Sequence, residues 1–153
     1  MNKLKWLILS FFLCFGTAFF GSLVTTPSID SWYQSITKPS FNPPNWIFGP
    51  VWTLLFALMA ISFYLILIQK PVAKKSIVLF LSQLFFNFLW SFLFFFIHNP
   101  LLAYINILVL IVLVVLTTKH FIKINRLAGL LLIPYIAWIS FASILNLAIV
   151  LLN

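Results

Sequence analysis

Residues 77–118 read IVLFLSQLFFNFLWSFLFFFIHNPLLAYINILVLIVLVVLTT, two runs without a charged side chain separated only by His98, Asn99 and Pro100. Each run approaches the length of about 20 apolar residues that a helix needs to cross a hydrocarbon core. The break between them is short and contains a residue that punctuates helices. This stretch therefore predicts two membrane-crossing helices folded into an antiparallel hairpin.

Working outward, three further apolar runs qualify, at 4–25, 46–68 and 128–152, and among all five only the first carries a charge, Lys5 at its edge. Of the 153 residues, 64% are hydrophobic and 7% charged. A water-soluble domain usually carries about a quarter charged residues, so this chain cannot cover its apolar surface in water. The expected fold is an all-α membrane protein, one five-transmembrane-helix bundle over residues 1–153 with its helices at about 4–25, 46–68, 77–97, 101–118 and 128–152. No internal repeat or low-complexity tract argues for a second domain. A cleaved secretory signal is the rival reading of the first run, but the run is long for one and no small-x-small cleavage site follows it.

The formal net charge is +8, yet the cations form no continuous stripe of the kind that binds nucleic acid. With five spans, Lys3, Lys5, Lys70, Lys74, Lys75, Lys119, Lys123 and Arg126 fall on one side of the bilayer and only Lys38 on the other. The positive-inside rule then puts the N-terminus in the cytoplasm and the C-terminus and the loop 26–45 outside, in a plasma or inner membrane. Asp30 is the one side-chain carboxylate and Cys14 the one cysteine. Paired-carboxylate catalysis, a carboxylate-bridged metal and an intrachain disulfide are excluded. His98 and His120 are read at loop positions on opposite sides and cannot share a metal, and no metal or cofactor is expected. There is no Gly-rich phosphate loop.

Polar residues inside the runs carry the functional reading. Gln83, Asn87, Trp90 and Phe94 share one helical face, and Pro134, Trp138, Ala142 and Asn146 share another. Amides are costly in hydrocarbon, so both faces should point into the bundle. Asn87, Asn106 and Asn146 either join helices by hydrogen bonds or, with Trp52, Trp90 and Trp138, line a box for a planar hydrophobic ligand. Ser10, Cys14, Thr17, Ala18 and Gly21 form a stripe of small residues that lets another helix approach, within the chain or in a homodimer. The loop 26–45, with Trp32, Tyr33, Pro39, Phe41, Pro43, Pro44 and Trp46 in or beside it, is stiffened by proline. It reads either as a lid or as an interfacial anchor.

The motifs Trp32-Tyr33, Lys38-Pro39, Pro43-Pro44, Gly49-Pro50-Val51-Trp52, Gln83, Asn87, Trp90-Ser91, Phe94-Phe95, Pro134-Tyr135, Trp138, Phe141-Ala142 and Leu145-Asn146 occur in an order that resembles the translocator protein family. That family is also known as tryptophan-rich sensory proteins or peripheral-type benzodiazepine receptors. The resemblance covers all five runs. It implies a pocket under the first loop that binds porphyrins such as protoporphyrin IX and benzodiazepine-site drugs, and it implies dimerisation. Position by position, Tyr33, Pro43, Trp52, Asn87, Trp90, Ser91, Trp138, Ala142 and Leu145 would line that pocket. Trp52 and Trp138 match the tryptophans associated with light-dependent porphyrin breakdown. Asn106 stands where many members carry an acid, and Phe121 before Lys123 departs from the cholesterol-recognition pattern, so sterol transport is not implied.

Three functions follow: a membrane-embedded binding protein or sensor for porphyrin-like ligands, a light-dependent porphyrin-degrading activity, and a transporter of hydrophobic metabolites. The last lacks an inverted repeat or an intramembrane acid for proton coupling.

Overall fold

The computed structural model describes residues 3–153 as helices joined by turns, with no strand among them. In chain order these are α1 (Lys3–Ile29), α2 (Trp32–Ser35), α3 (Asn45–Leu67) and α4 (Lys74–Ser91), which continues into a π-helical turn (Phe92–Phe96). After them come α5 (Pro100–Ile124), α6 (Arg126–Leu130) and α7 (Ile133–Leu152). Five spans are long and apolar enough to cross a membrane: α1, α3, α4 with its π-turn, α5, and α6 with α7. The chain is thus an all-α membrane protein with five transmembrane spans.

The helix ends differ from the ends of the apolar runs at three places. The first helix continues through Thr25 and Thr26 to Ile29, and just past its end Ser31 Oγ donates to the Pro27 carbonyl one turn back (2.9 Å). Residues 26–29 therefore belong to α1, and the connection to α3 is shorter than 26–45. The fourth span likewise runs past residue 118 to Ile124, which places His120 inside a helix and not in a loop. The last run is two helices. Asn125 caps α6 by accepting from the Ala128 amide (3.1 Å), and the chain turns at Leu131 and Leu132 before α7. Pro134 accordingly lies in the first turn of α7, where its missing N–H has no partner to lose, and does not loosen a continuous helix.

The hairpin turn is built as its residues demand. His98 adopts a positive φ of 57°, which ends the π-turn, and Asn99 N donates to Leu93 O (3.0 Å). The Asn99 side chain then accepts from Leu102 N (3.0 Å) with Pro100 opening α5. Across the hairpin Asn106 Nδ2 donates to Phe86 O (2.9 Å).

Helix α5 packs between α4 and α7, while α1 lies against α3 and α4. Near the end that carries Lys70, Lys74, Lys75, Lys119 and Lys123, the interior is filled by rings. Phe80 stacks on Phe63 (4.0 Å between centroids) and on Phe121 (6.1 Å). Ser62 Oγ donates to Ala128 O (2.7 Å) and ties α3 to α6. The stripe of small residues on α1 is used within the chain: Ser10, Cys14 and Gly21 are buried, and the Gly21 Cα faces Ser91 on α4.

The α5–α6 junction gives a direct test of this packing. A Cβ on Gly129 would stand 2.8 Å from Ile122 N and 3.0 Å from Thr118 O. Backbone cannot give way as a side-chain tip can, so Gly129→Ala is expected to destabilise the protein by about 1–3 kcal/mol. Reversible unfolding in mixed micelles measures this, and an unchanged midpoint would show the junction to be looser than described.

Candidate functional site

At the opposite, lysine-poor end the helices diverge and enclose a cavity of about 650 Å³. That is within the 300–1,000 Å³ usual for small-molecule sites, roughly the size of a large planar ligand. Its walls come from the second half of α1, the first half of α3, the end of α4 with its π-turn, and α7 from Trp138 to Ile149, with Tyr33 of α2 above. The π-turn, closed by Ile97 N donating to Phe92 O (2.9 Å), aims Phe94 and Phe95 into this space. One extra residue in a helical turn re-aims the side chains that follow it.

The wall formed by α4 and α7 is held by amides. Asn146 Oδ1 accepts from Trp90 Nε1 (3.0 Å), and Asn146 Nδ2 donates to Pro100 O (2.8 Å), so one side chain joins α7 to both arms of the hairpin. Deeper, Asn87 Nδ2 donates to the Tyr135 hydroxyl oxygen (2.7 Å). Tyr135 in turn lies edge-on to Trp52 (6.2 Å), and Trp138 lies edge-on to Phe48 (5.9 Å). The Trp90 ring is stacked on Phe94 (5.2 Å, 19°).

The connection over the cavity is clasped on two sides. Trp32 stacks on His98 (4.6 Å, 14°), and His98 Nε2 lies 3.3 Å from Ser28 Oγ. On the other side Asn153 accepts from Thr37 N and donates to Thr37 O, both at 2.9 Å, while Phe41 meets Phe141 edge-on (6.5 Å). Tyr33 Oη donates to Asn42 Oδ1 (3.1 Å), and Lys38 Nζ stands 4.7 Å above the Tyr33 ring. Burial raises the Tyr33 hydroxyl above the usual tyrosine range, opposed by its bond to Asn42, so it remains a neutral donor.

Among the residues expected at a pocket, Tyr33, Trp52, Asn87, Trp90, Ser91, Trp138, Ala142 and Leu145 line this cavity, and Pro43 does not. Pro43 sits in the turn beside Asn42, whose Nδ2 donates to the Pro43 carbonyl (3.2 Å). Gln83 is buried away from the cavity, and neither end of its amide has a partner among the described residues. Two features escaped the sequence reading. Tyr135 partners Asn87, and the signal was a tyrosine one turn from Trp138 that must find a bond once buried. Ser22, Thr25 and Thr26 of α1 also line the cavity, although they look like the frayed end of an apolar run.

Residues 10–152 match the model of the TspO/MBR family. The chain is 45% identical to the tryptophan-rich protein TspO of Archaeoglobus fulgidus, over 100% of this chain and 99% of that protein. It is 31% identical to the tryptophan-rich sensory protein of Cereibacter sphaeroides, over 99% and 94% of the two. It is 34% identical to the human translocator protein, over 75% of this chain and 70% of that one.

Asn146→Leu keeps the volume near constant but leaves the Trp90 indole N–H and the Pro100 carbonyl without their partner. Leaving such buried groups unpaired costs about 1–3 kcal/mol. The expected result is a loss of stability in that range with a red-shifted, more mobile Trp90 emission, whereas Asn153→Ala at the exposed clasp should cost less than about 1 kcal/mol. Equal, small losses for both would show that the Asn146 amide does not hold the wall.

Proposed function

The chain belongs to the TspO/MBR family, and from that membership and the lining of its cavity we propose that this multi-pass membrane protein is a binding protein or sensor for porphyrins of the protoporphyrin IX type and for benzodiazepine-site hydrophobic ligands. The observation that carries the reading is the meeting of Trp52, Trp90 and Trp138 around one cavity, with the amides of Asn87 and Asn146 between them. Indole faces suit a planar aromatic ligand, and a few fixed polar groups orient it. The Asn87 NH2 group is committed to Tyr135, which leaves its carbonyl oxygen for a pyrrole N–H or another donor. Relatives named as sensory and translocator proteins agree with such a role. The lysine-rich end faces the cytoplasm in this proposal.

A second reading is favoured by Trp52 and Trp138 bordering the same space: a bound porphyrin would be degraded in light and oxygen, with these indoles beside the excited ring. Illumination of the complex should then produce a bilin-like absorbance faster than free porphyrin does, and equal rates would discard this reading.

Titration of purified protein with protoporphyrin IX, read by tryptophan quenching, tests the binding role. Saturable quenching is expected, and the Trp52→Phe, Trp138→Phe double variant should bind about tenfold more weakly, which is about 1.4 kcal/mol. Wild-type protein that shows no saturable quenching would defeat the proposal, and a variant that binds as tightly as wild type would move the ligand elsewhere.

A further inference from the structure

The cavity has a closed side and an open side. On α4 and α7, its lining residues Asn87, Phe94, Leu145, Asn146 and Ile149 are buried. Facing them, Ser22 and Thr26 of α1 and Asn45, Gly49 and Thr53 of α3 line the same cavity and are exposed. Above, the connecting segment is held down by the Thr37–Asn153 pair and the Trp32–His98 stack. The exposed lining thus lies along the gap between two membrane-spanning helices.

We infer that the cavity is entered sideways, from within the bilayer, through a slot between the lysine-poor halves of α1 and α3, and that this slot admits amphiphilic molecules. The slot runs along α1 from Phe15 to Thr26, roughly 15–20 Å at 1.5 Å per residue. Its chemistry changes along that length. Phe15 and Phe19 on α1 and Phe56 on α3 line the deep part, and Thr25, Thr26 and Asn45 line the part at the membrane surface. A molecule with an apolar body and a polar end fits this gradient, its body passing between rings while its polar end stays near the headgroups. The slot stays open at little cost because its hydroxyls are bonded to their own helices: Ser22 Oγ donates to Phe19 O (2.8 Å) and Thr53 Oγ1 to Gly49 O (2.9 Å). Lipid replaces water here, so no hydrophobic force pulls α1 and α3 together across the gap. Gly49 borders open space, since a Cβ there would meet nothing within 4 Å, so a larger side chain at this position can fill the slot.

This rests on reading the cavity as a binding site but not on porphyrin as its ligand, and the test needs no ligand. Ala142→Cys puts a thiol on the far wall, with the wild-type chain as the blank because Cys14 is fully buried. Ser91→Cys, an isosteric change on another wall, serves as the second reporter should the first variant fail to insert. In vesicles, an uncharged membrane-partitioning maleimide should label the thiol, and a charged maleimide present on both faces should not. Adding Gly49→Leu should slow labelling about tenfold with no change at Gly49→Ala, since a blocked path acts on the rate of entry. The clasp variants Asn153→Ala and Trp32→Ala should leave the rate as it was. The inference is overturned if the charged reagent labels equally and the clasp variants accelerate it, which would place entry under the connecting segment. It is equally overturned if Gly49→Leu has no effect, or if neither reagent reaches either thiol because a second copy covers the slot. Failure of protoporphyrin IX to bind would remove that ligand and leave the labelling result standing.

Discussion

One amide, that of Asn146, holds the hollow end of this bundle in shape. In lipid there is no hydrophobic pressure to drive helices together, because the surrounding chains are as apolar as the side chains. An interior space survives where its walls are fixed by bonds that hydrocarbon cannot replace. Asn146 supplies two such bonds, to the Trp90 indole and to the Pro100 carbonyl, and so locks α7 against the hairpin of α4 and α5. Asn106, bonded to Phe86 O, and Asn87, bonded to Tyr135, repeat the device lower on the same wall. The side of the bundle without such bonds, between α1 and α3, is where the cavity is open.

The two ends of the molecule are consequently built on different physics. At the lysine-rich end, dispersion between stacked rings, Phe63 on Phe80 on Phe121, fills the interior. At the other end polar bonds outline a space between the helices. The clasp above follows the same economy, since its Thr37–Asn153 pair and Trp32–His98 stack attach the connecting segment to α7 and to the hairpin, the two fixed elements.

This division explains what the sequence disclosed. Hydropathy runs reveal spans because the solvent demands them, and the turn at 98–100 was legible because Asn and Pro there have local reasons to end and begin helices. The amide faces through Asn87 and Asn146 were legible as inward-facing, since hydrocarbon punishes any other placement. Whether an amide joins helices or lines a space was not legible, and the structure shows why the question had two answers. Asn87 and Asn146 do both, bonding a neighbour with one end while bordering the cavity. Helix ends were not legible from hydropathy where a helix runs on through polar residues, as α1 does through Thr25 and Thr26 to Ile29. Resemblance alone places Pro43 at the pocket; in the structure it is not among the lining residues and neighbours Asn42, which accepts from Tyr33.

The character of the lining limits what can happen inside. Among the described residues the cavity presents indoles, phenyl rings, hydroxyls and amides, and no carboxylate, imidazole or amine. Asp30 is exposed and lies outside the lining, and the Tyr33 hydroxyl is kept protonated by burial and occupied by Asn42. The indole, phenyl, hydroxyl and amide groups of the lining meet an occupant by ring contact and hydrogen bonding. What the walls offer an occupant is a rigid aromatic surface, a spare carbonyl at Asn87 and exclusion of water. Walls of that kind are complementary to a flat apolar shape with a donor placed opposite Asn87.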